Sequence, residues 1–155
     1  MASPTVLFVC TGNTCRSPLA EGLLRHALGD SSDIKVASAG VAAGYGEPAN
    51  PETLAVLDEV GIDLANHQSQ PTDDQVIADA TWIIAMTRSH RDALTAFFPA
   101  AQDRTFLLSD FIEEPASIDV PDPIGMGRAA YLQTRDVIVD AIPGILKAIA
   151  ATKAG

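Results

Sequence analysis

Residues 5–28 read TVLFVCTGNTCRSPLAEGLLRHAL, and the fold of the chain depends on the pattern in this stretch. Its first part is a continuous run of β-branched, aromatic and aliphatic side chains up to Val9, which predicts a strand buried on both faces. After a short polar loop, apolar residues recur with helical spacing. Ser17 followed by Pro18 predicts the N-cap and first turn of that helix, and Gly29 predicts its end.

The remaining chain continues to alternate between strand-like and helix-like segments. Short apolar runs predict strands, and longer segments with an apolar stripe predict helices. The predicted strands are residues 34–38, 81–86 and 104–107, and the predicted helices are residues 51–60, 72–80, 89–98 and 129–151. We expect a disturbance of the last helix at Pro143. This alternation predicts an α/β fold with a parallel sheet, which binds ligands at the carboxyl ends of its strands, and Cys10 ends the first strand.

The length, composition and charge of the chain limit the kinds of protein that it can be. The chain has 155 residues, of which 47% are hydrophobic, and a formal net charge of −10 from 10 basic and 20 acidic side chains. This length and apolar content suit a single domain, predicted over residues 1–155, with a core of its own. Because nucleic acids and anionic membranes are polyanions, we expect neither to be a partner of so acidic a chain. The first 50 residues are the least negative part.

Several features predict a cytoplasmic protein without a metal or other cofactor. The N-terminus lacks the basic region and the long apolar run of a signal peptide, and the apolar stretch near the C-terminus is too short to span a membrane. Cys10 and Cys15 are the two cysteines, so a disulfide framework is excluded. His26, His67 and His90 lack metal-ligand spacing with one another or with a cysteine.

The loop that follows the first strand has the residue types of an anion site. Gly12 and Asn13 tolerate positive φ, so the backbone can curl and turn successive N–H groups inward. Arg16 offers a planar fork for two oxygens of a tetrahedral oxyanion, beside the positive end of a helix. The same environment favours the thiolate of Cys10, and Ser17 can donate a hydrogen bond to that sulfur. The competing interpretation is a buried structural cysteine.

A group of acids before the last helix contains the candidate proton donor. A thiolate that attacks phosphorus needs an acid for the leaving group and later a base for water. The candidates are Asp110, Glu113, Glu114, Asp119 and Asp122. Spacing alone does not choose among them, and a solvated acidic turn is the alternative interpretation.

Residues 6–24, VLFVCTGNTCRSPLAEGLL, resemble the signature of the low-molecular-weight protein tyrosine phosphatases. The resemblance covers essentially the whole chain through the segments Ser38-Ala39-Gly40, Ala85-Met86-Thr87, Asp122-Pro123 and Thr134-Arg135-Asp136. It implies a three-layer α/β fold with a four-stranded parallel sheet flanked by helices. It also implies hydrolysis of phosphoproteins without a metal, by way of a cysteinyl-phosphate intermediate.

The resemblance also implies a role for individual residues. Cys10 is the implied nucleophile, Arg16 the phosphate-binding cation and Asp122 the general acid, with Asp119 as the second candidate. The implied phosphate-binding residues are Thr11, Gly12, Asn13, Thr14, Cys15, Arg16 and Ser17. The residues implied to brace this loop are Asn13, Ser17, Ser38 and His67. Cys15 is the implied redox partner that captures oxidised Cys10 in a reversible disulfide, and a small residue facing the core is its other interpretation.

The expected partners are phosphorylated proteins, with inorganic phosphate or a similar oxyanion as product and inhibitor. Tyrosine-specific family members have a bulky aliphatic residue where Thr14 stands and aromatic residues after the Asp-Pro step, whereas residues 122–126 read DPIGM. Thr14 instead resembles the protein-arginine phosphatase branch, so phosphoarginine is the alternative to phosphotyrosine. Tyr45 is the candidate for an aromatic wall contributed by another loop.

Three other functions are less consistent with the sequence. Arsenate reductases of similar sequence need further cysteines downstream, and none follows Cys15. Phosphocarrier subunits with a related fold lack the arginine that stands here as Arg16. A non-catalytic module that binds phosphoproteins or senses redox state is disfavoured, because nucleophile, arginine, serine and acid are all present.

Overall fold

The computed structural model describes residues 3–154, and within them the chain forms four strands and five α-helices. The strands are β1 (Thr5–Cys10), β2 (Lys35–Gly40), β3 (Trp82–Ala85) and β4 (Thr105–Leu107). The helices are α1 (Arg16–Leu28), α2 (Pro51–Asp58), α3 (Asp74–Asp79), α4 (Arg88–Phe97) and α5 (Arg128–Ala154). Two 3-10 turns flank β4, at Pro99–Arg104 and Leu108–Phe111.

The strands form one parallel sheet in the order β2-β1-β3-β4. At the carboxyl end of β1, Cys10 lies beside Gly40 of β2, and Val9 lies beside Ala85 of β3. The chain passes from β1 to one neighbour and later enters the other, so the ends of β1 and β3 border a topological switch point. Open α/β sheets bind ligands at this position.

β1 is buried on both faces because its side chains alternate between two core layers. Val6 and Phe8 pack with apolar side chains of α1 and α5, and Leu7 and Val9 pack with Ile77 of α3 and with α4. Helices therefore cover both faces of the sheet. The predicted three-layer α/β fold with a four-stranded parallel sheet is confirmed.

The predicted elements are present, and their ends differ by a few residues from the predicted ends. α1 begins at Arg16, so the prediction that Ser17 is its N-cap is wrong. Cys15 occupies the N-cap position and makes no side-chain capping hydrogen bond. Ser17 is fully buried and directs its hydroxyl into the preceding loop instead. The two 3-10 turns beside β4 have no counterpart among the predicted elements.

α5 continues through Pro143, so the expected disturbance does not end the helix. The next residue, Gly144, packs on the backbone of the second 3-10 turn, where an added Cβ would lie 2.2 Å from the Phe111 carbonyl oxygen. This close approach fixes the last helix to the region after β4. Within residues 3–154, no helix has both the length and the apolar character needed to cross a bilayer.

Candidate active site

The loop between β1 and α1 packs directly on the end of β2. An added Cβ at Gly40 would lie 2.4 Å from the Thr11 carbonyl oxygen and 2.9 Å from the Asn13 backbone nitrogen. A side chain at this position would therefore displace the loop. The N–H groups of the two residues after Gly40 donate to the carbonyl oxygens of Cys10 and Thr11, at 2.9 Å in each case. These contacts anchor the start of the loop to β2.

The backbone of the loop retains unused hydrogen-bond donors. The hydrogen bonds among residues 3–154 include none donated by a backbone N–H from Thr11 to Ser17. Asn13 adopts a left-handed conformation with φ at 59°, as its residue type predicts, whereas Gly12 does not have positive φ. Because α1 starts directly after this curl, the positive end of its dipole adds to the free donors. The loop thus has the character of an anion-binding site.

The thiol of Cys10 is buried at the base of the loop beside two buried polar side chains. Ser17 Oγ lies 2.9 Å from Cys10 Sγ. The same oxygen accepts a hydrogen bond from Asn13 Nδ2 at 2.9 Å, so its own proton is available to the sulfur or to the more distant Ala39 carbonyl oxygen at 3.5 Å. A hydroxyl donor in this position stabilises the thiolate, which is the nucleophilic form. The contact predicted between Ser17 and the sulfur is present.

A buried network behind the loop holds Asn13 in its left-handed conformation. Asn13 Nδ2 also donates to Ser38 Oγ at 2.8 Å, and Asn13 Oδ1 accepts from the Gln70 backbone N–H at 3.0 Å. The backbone carbonyl oxygen of Asn13 lies 2.8 Å from His67 Nε2. Ser38 in turn donates to Glu21 Oε1 at 2.6 Å. The structure therefore brings Ser38 and His67 to the loop, together with two residues that the sequence did not indicate.

The guanidinium of Arg16 joins the loop to the segment that carries the predicted acid. Nη1 donates to the Val120 carbonyl oxygen at 2.8 Å, and Nη2 lies 3.9 Å from Asp122 Oδ2. The Arg16 side chain is buried, whereas that of Asp122 is 49% exposed. The other carboxylate oxygen of Asp122 accepts from the Ile124 N–H at 3.1 Å. The acid therefore stands at the entrance of the site, with the cation beneath it.

Asp119, the second candidate for the acid, is directed to α4 instead. Asp119 Oδ1 accepts from the Arg88 backbone N–H at 2.8 Å, and the Arg88 guanidinium contacts both carboxylate oxygens at 3.3 Å. These donors lower the pKa of the Asp119 carboxyl below its usual value and keep it ionised. An ionised carboxylate that caps another helix has no proton to donate, so the geometry favours Asp122 as the acid.

Cys15 lies on the side of the loop that faces α5. Its buried sulfur is 3.3 Å from the Tyr131 hydroxyl and 3.8 Å from Thr14 Oγ1. Burial raises the pKa of the Cys15 thiol, which is therefore protonated at neutral pH. Burial also raises the pKa of the Tyr131 phenol. Tyr131 lies on the apolar face of α5 with Ile138, and no local pattern shows that its hydroxyl reaches a loop near the other end of the chain.

His90, which the sequence analysis noted only as unsuited to bind a metal, contacts the loop from the start of α4. Its Nε2 lies 2.8 Å from Thr11 Oγ1, and its Nδ1 lies 3.0 Å from Thr87 Oγ1. Burial and then the positive charge of Arg16 lower the pKa of His90 to about 4. The imidazole is therefore neutral at physiological pH.

Together these groups can bind a tetrahedral dianion, attack it and protonate a leaving group. The free N–H groups and Arg16 supply positive potential, Cys10 is the candidate nucleophile and Asp122 is the candidate acid at the entrance. Along the described chain, residues 3–154, no three His, Cys, Asp or Glu side chains are arranged so that they could hold a metal ion.

Comparison with known proteins agrees with this chemistry. The family model for low molecular weight phosphotyrosine protein phosphatase matches residues 5–154. A protein-arginine-phosphatase of Geobacillus stearothermophilus is 41% identical over 131 residues, which cover 84% of this chain and 86% of that protein. The solved YwlE arginine phosphatase from the same organism has a TM-score of 0.87 at 36% identity and covers 97% of this chain and 96% of its own.

A solved low molecular weight protein tyrosine phosphatase from T. tengcongensis has a TM-score of 0.85 at 37% identity. The alignment covers 94% of this chain and 99% of that one. Both the sequence and the fold therefore match from β1 to the end of α5. The chain belongs to the low molecular weight phosphotyrosine protein phosphatase family and is a cysteine-dependent protein phosphatase.

Proposed function

We propose that Cys10 and Asp122 carry out a two-step hydrolysis of phosphoproteins. The Cys10 thiolate attacks phosphorus, so that an S–P bond forms while the bond to the leaving group breaks, and Asp122 gives the leaving atom its proton. Water then attacks the cysteinyl-phosphate and loses a proton to Asp122, which releases inorganic phosphate and restores the thiolate. Arg16 and the loop N–H groups stabilise the charge on the phosphoryl oxygens.

The rest of the loop and its supports have proposed roles in binding and positioning. We assign phosphate binding to Thr11, Gly12, Asn13, Thr14, Cys15, Arg16 and Ser17, in a single domain over residues 1–155. Asn13 and Ser17 brace the loop from within, and Ser38 and His67 do so from behind. The hydrogen bonds of Asn13 with both Ser38 and His67 support this assignment.

The substrate group that we propose is phosphoarginine, and the observation that carries this proposal is the hydroxyl of Thr14. A guanidinium has only hydrogen-bond donors and needs acceptors around it. Thr14 places a half-buried hydroxyl in the phosphate loop, and Asp122 adds a carboxylate at the entrance. The identity to a protein-arginine-phosphatase over most of the chain supports the same substrate.

Thr14→Ile tests this preference. Because isoleucine removes the acceptor and adds bulk, we expect kcat/KM for a phosphoarginyl peptide to fall about tenfold or more. The value for the matching phosphotyrosyl peptide should be unchanged or higher. The measurement is a comparison of the two peptides with wild type and variant, with p-nitrophenyl phosphate as the common reference. An unaltered ratio between the two peptides would remove Thr14 from the selection of substrate.

Phosphotyrosine is the second candidate because two apolar side chains stand near the acid. Ile124 and Met126 follow the Asp-Pro step and are 56% and 70% exposed, so they could pack on a phenyl ring. Tyr45, the candidate for an aromatic wall, is 71% exposed and uses its hydroxyl to donate to Asp73 at the N-cap of α3. A wild-type enzyme faster on the phosphotyrosyl peptide would favour this candidate.

Asp122→Asn is expected to lower kcat on phosphopeptides by about 100-fold, because asparagine cannot give the leaving group a proton. The limb of the pH–rate profile that reports the loss of this proton should disappear. Asp119→Asn is the matched control, since its carboxylate is bound to Arg88, and it should keep both the rate within about threefold and the shape of the profile. An unchanged profile in Asp122→Asn would mean that another acid donates the proton.

We also infer that Cys10 and Cys15 form a redox pair. An oxidant such as peroxide would convert the Cys10 thiolate to a sulfenic acid. The Cys15 sulfur, in the same loop, then attacks the Cys10 sulfur, so that an S–S bond forms, the S–O bond breaks and the oxygen leaves as water with the Cys15 proton. Inorganic phosphate or a similar oxyanion as product and inhibitor is a further prediction. The cytoplasmic location and the exclusion of nucleic-acid, membrane and cofactor partners also stay predictions.

A further inference from the structure

The imidazole of His90 joins the two loops that border the switch point of the sheet. His90 lies in the first turn of α4, after β3, and its Nδ1 meets the hydroxyl of the N-cap residue Thr87. Its Nε2 meets the hydroxyl of Thr11, directly after β1. His90 is buried, and the roles proposed for the cysteine, arginine and acid do not use it. A buried ring with both nitrogens engaged has a fixed orientation.

The hydrogen bonds around Thr87 favour one position for the proton of the ring. Thr87 Oγ1 already accepts a hydrogen bond from the His90 backbone N–H at 3.2 Å. If Nδ1 also donated to this oxygen, the Thr87 hydroxyl proton would have no acceptor among residues 3–154 and would be left to solvent. If instead the Thr87 hydroxyl donates to Nδ1, every donor is satisfied and the neutral ring carries its proton on Nε2. Nε2 then donates to Thr11 Oγ1.

Thr11 lies at the exposed entrance of the phosphate loop and not in its buried part. Its side chain is exposed, whereas Cys10, Asn13, Arg16 and Ser17 are buried. The charged groups that act on His90 are Arg16 with Asp119 and Asp122, so the pair lies on the acid's side of the entrance. With one lone pair taken by His90, the Thr11 hydroxyl keeps its second lone pair and its proton. Because the Thr11 side chain is exposed, both are accessible to a substrate.

We propose that His90 is a positioning residue that holds the Thr11 hydroxyl in place to recognise the guanidinium of phosphoarginine. This inference rests on the proposed substrate. The free lone pair of Thr11 accepts an N–H from the guanidinium, and its proton is directed to a phosphoryl oxygen of the same group. The aryl ester oxygen of phosphotyrosine has no N–H to donate, so it gains only part of this contact. Discrimination follows from a hydroxyl whose direction the buried ring determines.

A double-mutant cycle tests this proposal. Thr11→Val removes the hydroxyl at nearly constant volume, and His90→Phe removes both ring donors and acceptors while it fills the buried site. We expect each variant to lower kcat/KM on a phosphoarginyl peptide about tenfold, mostly through KM, and to lower the value on a phosphotyrosyl peptide by a clearly smaller factor, because that substrate loses only the contact to a phosphoryl oxygen. Because both act through one contact, the double variant should be no slower than Thr11→Val alone.

Two more variants separate positioning from folding. His90→Gln keeps an N–H that can reach Thr11 and should recover much of the lost activity on the phosphoarginyl peptide. His26→Gln, at an exposed position of α1, should behave as wild type. Additive losses, equal losses on both peptides, or no effect of Thr11→Val would overturn the positioning role and leave the proposed function intact. A wild-type enzyme inactive on the phosphoarginyl peptide would overturn the proposed function and this inference together.

Discussion

Cys10→Ser is expected to lower turnover of p-nitrophenyl phosphate by about 10⁴-fold or more, because a serine hydroxyl is almost fully protonated at neutral pH and attacks phosphorus poorly. The buried serine should still meet Ser17, so the fold and the anion loop should persist. The measurements are steady-state turnover, circular dichroism and the thermal midpoint with and without inorganic phosphate. Retained stabilisation by phosphate in the inactive variant would separate loss of the nucleophile from loss of binding.

Cys15→Ser is the matched control for this change. It replaces the sulfur with oxygen at the other cysteine, on the side of the loop that contacts Tyr131. We expect its turnover to stay within about threefold of wild type, while rapid recovery from peroxide by thiols is lost if the pair forms a disulfide. Full activity of Cys10→Ser would contradict the mechanism outright. A correctly folded wild-type chain without any turnover would indicate a binding module in place of an enzyme.

Arg16→Lys is expected to cost about 10³-fold in kcat/KM, although the charge is conserved. The guanidinium donates to Val120 with one nitrogen and approaches Asp122 with the other, so it both orders the acid segment and faces the oxyanion site. A lysine ammonium has one nitrogen and cannot hold the Val120 carbonyl while it binds two phosphoryl oxygens. Both kcat and KM should therefore worsen.

The measurement is a kcat and KM determination for wild type and Arg16→Lys, together with the inhibition constant of inorganic phosphate. Arg91→Lys is the control, since its guanidinium is partly exposed and pairs with its neighbour Asp92. It should leave both constants within about twofold. If Arg16→Lys kept wild-type constants, binding of the transition-state charge would belong to the loop N–H groups alone.

The fold could be predicted because its signals are local. A strand that is apolar from Val6 to Cys10 and the helical stripe that follows it each reflect the burial of neighbouring side chains. The alternation of such segments along the chain indicates a parallel sheet. The predicted ends of the helices and strands were less accurate where tertiary contacts compete with local sequence preferences. Ser17 has the chemistry of an N-cap, yet its hydroxyl is directed to Cys10, and the N-cap lies two residues earlier, at Cys15.

The candidate site was predictable to the same extent. Cys10, Asn13 and Arg16 lie within one loop, so their chemistry can be inferred from neighbouring letters. Choosing Asp122 over Asp119 from physical reasoning needed the structure, because only the structure shows Arg88 bound to Asp119. The contact of His90 with Thr11 joins residues 79 positions apart, and no spacing rule connects them.

The sequence by itself determined the class of fold, the loop with its thiol and arginine, and the resemblance to a phosphatase family. These properties follow from residue type, periodicity and the order of neighbouring residues, which can be read from a short segment of the chain. Tertiary structure alone decided which acid stands at the entrance, what holds Asn13 from behind and which hydroxyl a buried imidazole orients. Such contacts form between residues far apart in the chain that the sheet brings together at its strand ends. Their energies depend on distances in space, which the order of residues does not specify.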